Sequence, residues 1–337
     1  MRRRSVAIAM LAGMVAWLGV FGVASASETS AVPRMSQIVT TPHPTPKVHS
    51  VPAPPGRQRT APPGALSSQQ VGVKIHHYNL CAGNDACVAH PELVDHARNL
   101  AAYFMTVDGG WFLSLNEVCK SDFDDLAKRL NSAGTMVYAL NDSSDCDGPY
   151  GSAILHPGGI REGGEALFFP TQEAARVGDC GDEECRAMLC LRLGTYAGPM
   201  SVCTAHLETG TERAPGSDLT IGQAQANEYL WIATGYAAGR KRVLAGDLNL
   251  VPNNRDGQLE VDELPDSYNQ GLWDLVSGNT YPNWEPDSND NPVRRTPHSK
   301  IDYIWVDAQN LAIRPRPFCE NNPFSSDHCY TSGEWVP

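Results

Sequence analysis

The chain has 337 residues, 42% of them hydrophobic and 19% charged, the balance of a protein that buries a full core rather than of a disordered one. With 26 Lys and Arg against 38 Asp and Glu the formal charge is −12, which excludes a protein that coats nucleic acid by bulk electrostatics. A metal-dependent nuclease is not excluded, because carboxylates clustered around a divalent cation are part of that count and the cation reverses the local field.

Arg2, Arg3 and Arg4 precede an apolar stretch over residues 6–23, and Ala24-Ser25-Ala26 then offers the small residues of a cleavage site. Residues 1–26 are therefore expected to be a signal peptide and the mature protein to be secreted. Cleavage there would remove three arginines and no acid, taking the formal charge from −12 to −15. No later stretch is apolar for long enough to span a bilayer. Residues 27–70 contain Pro42, Pro44, Pro46, Pro52, Pro54, Pro55, Pro62 and Pro63 and show no apolar periodicity. They predict a disordered linker that carries no chemistry, with the folded domain over 71–337.

Residues 71–78 alternate and predict a strand, and 91–105 place Leu93, Val94, Ala97, Leu100 and Ala101 on one helical face. Residues 111–115 are a short apolar run ending in Asn116-Glu117. Residues 123–130 predict a helix, and 136–140 and 152–156 predict strands. Residues 188–193 and 201–206 predict a hairpin turning at Ala197-Gly198-Pro199. A helix over 221–238 leads into a strand at 242–245, and a late strand follows at 301–306. Many strands with few interleaved helices point to an α+β fold of two stacked mixed β-sheets flanked by helices, a four-layer α/β sandwich. A doubly wound parallel sheet would alternate more regularly.

The ten cysteines all lie beyond the leader. An even count in an exported chain means disulfides, and the absence of C-x-x-C spacing argues against zinc. Cys81–Cys87 and Cys319–Cys329 could each close a short loop, and the pairing is otherwise open.

Polar residues gather where the predicted strands end: Asn79, Glu117, His206, Asp247, Asn249, Asp302, Asp327 and His328. Each alone is more often a turn residue, a helix cap or a hydrogen-bonded structural histidine. Asp247-Leu248-Asn249 is more specific, since residues i and i+2 of a strand face one side and can address one ligand, and an acid and an amide projected together from an apolar strand are costly without a shared purpose.

Taken in order, Tyr78-Asn79-Leu80, Asn116-Glu117-Val118, Ala205-His206-Leu207, Gly246-Asp247-Leu248-Asn249, Ile301-Asp302-Tyr303 and Ser326-Asp327-His328 resemble the successive signature segments of the endonuclease/exonuclease/phosphatase superfamily, in a secreted bacterial type with a deoxyribonuclease-like fold. The resemblance covers about residues 72–330. It implies a site at one rim of the stacked sheets and a Mg2+ cofactor, for which Mn2+ can substitute. Glu117 would be the principal metal ligand, helped by Asn79 and Asp327, because hard oxygen ligands suit magnesium. Asp247 would orient or deprotonate the attacking water, and Asn249, with Asn79 and Arg186, would bind phosphate. His328, tied to Asp302, and His206 would face the scissile phosphate.

The chain departs from pancreatic-type deoxyribonucleases in carrying Cys81 and Cys119 where those enzymes have arginines, and it has no acid near Gly151-Ser152 to support His206. The abasic-site enzymes carry an acid where Cys81 stands. Trp273, Tyr281 and Trp284 could face a membrane, stack on bases or pack within a loop. Asp256, Asp262, Asp287 and Asp290 offer ligands for a structural Ca2+ without an EF-hand spacing. The expected protein is a secreted monomeric phosphodiesterase with no obligate protein partner, its substrate nucleic acid ahead of lipid. The alternatives are a sphingomyelinase-like or phosphoinositide-directed enzyme and, last, a non-catalytic binding module, since the central residues are all present.

Overall fold

The computed structural model describes residues 46–52, 73–82, 91–107, 111–138, 146, 148–156, 160–171, 186–195, 198–250, 273–277, 284–286, 292–294, 302–307, 313–315, 328 and 330–335. The strands are β1 (Lys47–Val51), β2 (Val73–Asn79), β3 (Phe112–Cys119), β4 (Ala133–Tyr138), β5 (Tyr150–His156), β6 (Ile160–Phe168), β7 (Ala187–Thr195) and β8 (Gly198–His206). They continue as β9 (Lys241–Asp247), β10 (Trp273–Ser277), β11 (Trp284–Pro286), β12 (Pro292–Arg294), β13 (Asp302–Asp307), β14 (Ile313–Pro315) and β15 (Thr331–Trp335). The described helices are α1 (Pro91–Val107), α2 (Lys120–Leu130) and α3 (Ile221–Ala237).

A seven-stranded sheet has the order β1-β4-β5-β3-β2-β15-β14 and a six-stranded sheet the order β10-β13-β9-β8-β7-β6, while β11 and β12 pair by themselves. Both large sheets are mixed, with β2 parallel to β3 and β8 parallel to β9. Successive side chains of a strand point to opposite faces, and the three apolar clusters follow that alternation. Val73 and Ile75 of β2, Phe112, Leu189, Leu191, Val202, Val243, Ala245, Ile304 and Val306 fill the layer between the sheets. Tyr78, Leu113 and Leu115 turn the other way, onto α1 and α2. Met188, Ala205, Leu244, Tyr303 and Trp305 pack under α3. Helix, sheet, sheet and helix make the four layers expected from the sequence.

The helices carry recognisable ends. Thr220 and Gln223 form a reciprocal capping box at the start of α3, satisfying two backbone donors that the first turn leaves open. In α2 Asp122 occupies the first turn and Lys128 and Arg129 the last, as the helix dipole favours.

Two expectations change. The Pro-rich segment is not wholly a linker, because Lys47–Val51 pairs antiparallel with β4 as an edge of the larger sheet. These five residues lie between Pro46 and Pro52 and so keep every backbone donor, and Val51 packs against the cluster beneath α2. The apolar run at 111–115 continues as strand through Asn116, Glu117 and Cys119. The aromatic positions Trp273 and Trp284 fall on β10 and β11, of which the backbone alone is described. Tyr281 and the proposed calcium ligands lie outside the described residues.

Cys119–Cys146 and Cys190–Cys203 are disulfides, the second joining directly opposed residues of β7 and β8. Cys81 is disulfide-bonded as well. Among the described residues no helix is long and apolar enough to cross a membrane.

Two buried histidines make the fold acid-sensitive. His76, whose ring lies 5.5 Å from that of Tyr330, has neither nitrogen hydrogen-bonded, and His156 Nδ1 is likewise unpaired among the described residues. Burial, reinforced by Lys74, lowers the His76 pKa from 6.5 to about 3, and burial with Arg161 lowers His156 to about 4. Both folded values lie below the unfolded one, so below pH 6.5 the unfolded chain takes up protons that the folded chain refuses. Stability is fully present above that pH and falls as the pH drops. At pH 5 each histidine should cost about 2 kcal/mol. Urea unfolding at pH 7 and pH 5 measures this, and a His76→Phe variant should lose about half of the difference.

Candidate active site

The register of the strands brings the sequence-predicted polar residues to one rim. Asn79 ends β2 opposite Asn116 of β3. His206 ends β8 opposite Asp247, the last residue of β9, and Asp302 begins β13 opposite the same Asp247. His328 stands just before β15, whose Thr331 pairs with His77. All of these strands present the inter-sheet face here, so the rim is the polar end of the same layer that is apolar farther in.

Glu117 reaches the rim through a break in regular geometry. In an unbroken strand Asn116 and Glu117 would point to opposite faces. The β3–β5 register slips between Leu115 and Val118, and Glu117 has φ +48°. A bulge with a left-handed residue re-aims side chains at functional rims and costs about 1–3 kcal/mol. Asn116 then braces the site: its Nδ2 donates to Ser152 Oγ at 2.7 Å and its Oδ1 accepts from the Asp247 amide at 2.8 Å. The second bond ties the two sheets together.

Asn79 stands at the centre. Its Nδ2 is 2.8 Å from Glu117 Oε1, 3.0 Å from Asp247 Oδ2 and 3.4 Å from His328 Nε2. Its Oδ1 accepts from the Cys81 amide at 2.9 Å. Asn79 therefore turns a donor toward the carboxylates, and acting as a metal ligand would require its oxygen to leave Cys81. The backbone donor at Cys81 orients the amide in this way.

Two histidines flank Asp247. His206 Nε2 lies 3.7 Å from Asp247 Oδ2 and 3.7 Å from Glu117 Oε1, and His328 Nε2 lies 3.5 Å from Asp247 Oδ2. His328 Nδ1 is 2.7 Å from Asp302 Oδ2, a contact that fixes its tautomer and ring plane. Arg186 Nη1 is 2.6 Å from His206 Nδ1 and 3.2 Å from its Nε2, so the arginine lies against the imidazole. Asn249, at φ +51°, donates its backbone N–H to Asp247 Oδ1 and its Nδ2 to the Leu207 carbonyl. Its amide nitrogen thereby shapes the turn after β9. Asp327 lies outside the described residues.

Charge at the rim is unbalanced. Burial raises the Asp247 carboxyl, with His328 and His206 opposing and Asp302 and Glu117 reinforcing. Asp302 is pushed up by burial too, but the His328 charge and the bonds from His328 and His77 outweigh this and hold it below the usual range. Glu117, His206 and Asp247 each bring one ligand atom within 4.8 Å of the others, as do Asp247, Asp302 and His328. A cation bound among these buried carboxylates would offset their mutual repulsion. The donor set of carboxylate oxygens and an imidazole nitrogen fits a divalent metal at Glu117.

Gly246 sets the approach of β9 to β8. It has φ +150°, and a Cβ there would stand 2.1 Å from the Ala205 carbonyl oxygen. Gly246→Ala should therefore lower stability by about 3 kcal/mol and displace Asp247, as urea unfolding and turnover together would show.

Sequence reasoning missed His77, Ser114, Asn116 and Thr204 as members of the site. The signal was available: each lies on the inter-sheet parity of its strand, so a polar residue there must face the other sheet.

Comparison with known proteins places this geometry. Residues 78–328 match the model of the endonuclease/exonuclease/phosphatase family, whereas no curated protein sequence matches significantly. Among solved structures the chain is similar to the human nocturnin catalytic domain with bound sulfate (TM-score 0.56, 16% identity, 80% of this chain and 94% of that one). It is also similar to a mannosyl-6-phosphatase of Bacteroides thetaiotaomicron (0.55, 14%, 79% and 100%), and to truncated TDP2 of Caenorhabditis elegans (0.52, 17%, 79% and 98%). At these identities the structures speak for the fold, while the family match spans the whole constellation from the strand of Asn79 to His328. The chain belongs to the endonuclease/exonuclease/phosphatase family, whose members are phosphoric ester hydrolases.

Proposed function

We propose that the protein is a secreted, divalent-metal-dependent phosphodiesterase that hydrolyses nucleic-acid phosphodiesters by direct attack of water. The observation that carries this reading is the placement of His206 and His328 on either side of Asp247, with Glu117 bridged to Asp247 by Asn79. One carboxylate is thus positioned to hold a nucleophile between two groups able to face phosphate oxygens.

When bound at Glu117, the metal would polarise a phosphate oxygen and offset charge developing at phosphorus. Asp247 accepts a proton from the attacking water, a task helped by a carboxyl that burial makes more basic than an exposed one. Asn79 keeps the Glu117 and Asp247 carboxylates in fixed positions. His328, held by Asp302, and His206, held by Arg186, donate to the phosphate oxygens as negative charge grows. No covalent intermediate with the protein is needed.

Nucleic acid is favoured because the described rim is polar throughout: Asn79, Glu117, Arg186, His206, Asp247, Asn249 and His328. A lipid-directed enzyme would need apolar side chains there. Secretion is supported by the leader-like residues 1–26 and by the buried disulfides.

The test uses the chain beginning at residue 27, so that β1 is retained. Plasmid DNA, RNA, sphingomyelin vesicles, phosphoinositides and mannose 6-phosphate are assayed in parallel with Mg2+. Cleavage of DNA or RNA well ahead of the others is expected. Preferential release of a lipid headgroup or of inorganic phosphate from the sugar would overturn the nucleic-acid assignment.

A further inference from the structure

We propose that His77 is a positioning residue for the reaction, acting through Asp302 on His328. The inference rests on the assignment of Asp302 and His328 to catalysis and extends it one residue deeper into the fold. His77 is 0% exposed and lies between the two sheets. Its Nε2 is 3.1 Å from Asp302 Oδ1, while the other carboxylate oxygen, Oδ2, is 2.7 Å from His328 Nδ1. Asp302 is thus gripped at both oxygens by two imidazoles, one inside the molecule and one at the rim.

The chain of bonds continues inward. His77 Nδ1 is 2.9 Å from Ser114 Oγ, and Ser114 Oγ is 2.7 Å from Thr204 Oγ1. Thr204, Ser114, His77, Asp302 and His328 therefore form one polar file that crosses from β8 to β3 and β2 and on to β13. Its direction follows from the chemistry of each group. An ionised carboxylate only accepts, so His77 Nε2 and His328 Nδ1 both carry hydrogen. In a neutral His77 ring, Nδ1 then accepts from Ser114, which accepts from Thr204.

Fully burying such a file is costly unless every member is satisfied. A purely structural position here would be filled by an apolar side chain, as at Ile75 two residues earlier on the same face. What His77 adds is orientation. A carboxylate held at one oxygen can swing about its Cβ–Cγ bond, whereas one held at both cannot. Fixing Asp302 fixes the plane of the His328 ring and directs Nε2 at the space beside Asp247, a pre-organisation of the kind that supporting residues supply to reactive groups.

The experiment compares His77→Leu and His77→Gln in the full secreted chain with bis(para-nitrophenyl) phosphate and Mg2+. His77→Leu removes the donor and should lower kcat about 10- to 100-fold with KM within about twofold. His77→Gln retains an N–H donor and should recover most of the lost kcat. In a His328→Ala background, His77→Leu should change the residual kcat by less than about twofold, because its effect passes through the missing ring. Equal fold-losses in both backgrounds, or an undiminished kcat in His77→Leu, would overturn the proposal. A second readout needs no turnover. The downfield proton resonance of His328 Nδ1–H should shift in both His77 variants. If it stays in place in folded protein the proposal fails, whereas inactivity of the wild type with a shifted resonance counts against the functional reading alone.

Discussion

Asp247→Asn should lower turnover about 1,000-fold without loss of stability. The substitution keeps the shape of the side chain and an oxygen to accept the Asn249 amide, which lies 2.9 Å from Asp247 Oδ1. It removes the base and places an N–H group toward Asn79 Nδ2, where a carboxylate oxygen now accepts at 3.0 Å. That local mismatch is set against a larger relief. Burial, reinforced by Asp302 and Glu117, pushes the Asp247 carboxyl upward against His328 and His206, so a neutral amide relieves the cost of burying that charge. A variant that is nearly inactive yet as stable as the wild type, or more so, marks a group kept for reaction at the expense of stability. Retained turnover above about one tenth of wild type would remove Asp247 from the mechanism.

His328→Ala should have an effect of similar size, about 1,000-fold in kcat, with a smaller effect on KM. Its Nε2 faces Asp247 Oδ2 at 3.5 Å and its Nδ1 is held by Asp302. Truncation leaves His77 bonded to Asp302 among the described residues and removes the counter-charge that most lowers Asp302. Asp302→Asn in the same assay should cost less than His328→Ala, because a misoriented imidazole still donates while an absent one does not. The reverse order would mean that Asp302, and not His328, acts on the substrate.

Much of this site is legible in the sequence because its parts sit at strand ends, where alternation stops and a polar residue interrupts an apolar run. Asn79, His206, Asp247 and Asp302 were found this way, and their registers place them side by side. Glu117 is legible in the same way, at the end of the apolar run 111–115, but the direction of its side chain is not, because the bulge and the left-handed φ there break the alternation of the strand.

His77, Ser114 and Thr204 share the inter-sheet parity of apolar neighbours such as Ile75, Phe112 and Val202, but that parity does not say which partners they meet. Only the stacking of β2 and β3 on β8 and β13 turns their shared parity into a hydrogen-bonded file. The roles of Asn79 and Asn249 also depended on contacts that sequence does not carry, namely the Cys81 amide and the Leu207 carbonyl. The edge strand β1 escaped notice because the prolines around it dominated the composition of the segment.

A divalent metal and the rim formed by Glu117, Asp247 and His328 should together hydrolyse a phosphodiester. The most direct test is release of para-nitrophenol from bis(para-nitrophenyl) phosphate by wild type and by Asp247→Asn, each with Mg2+ and with chelator. Expected are steady release by wild type with Mg2+, abolition by chelator, full return on adding excess Mg2+, and near-silence of Asp247→Asn throughout. Release that persists undiminished in chelator, or that Asp247→Asn supports as well as wild type, would contradict it.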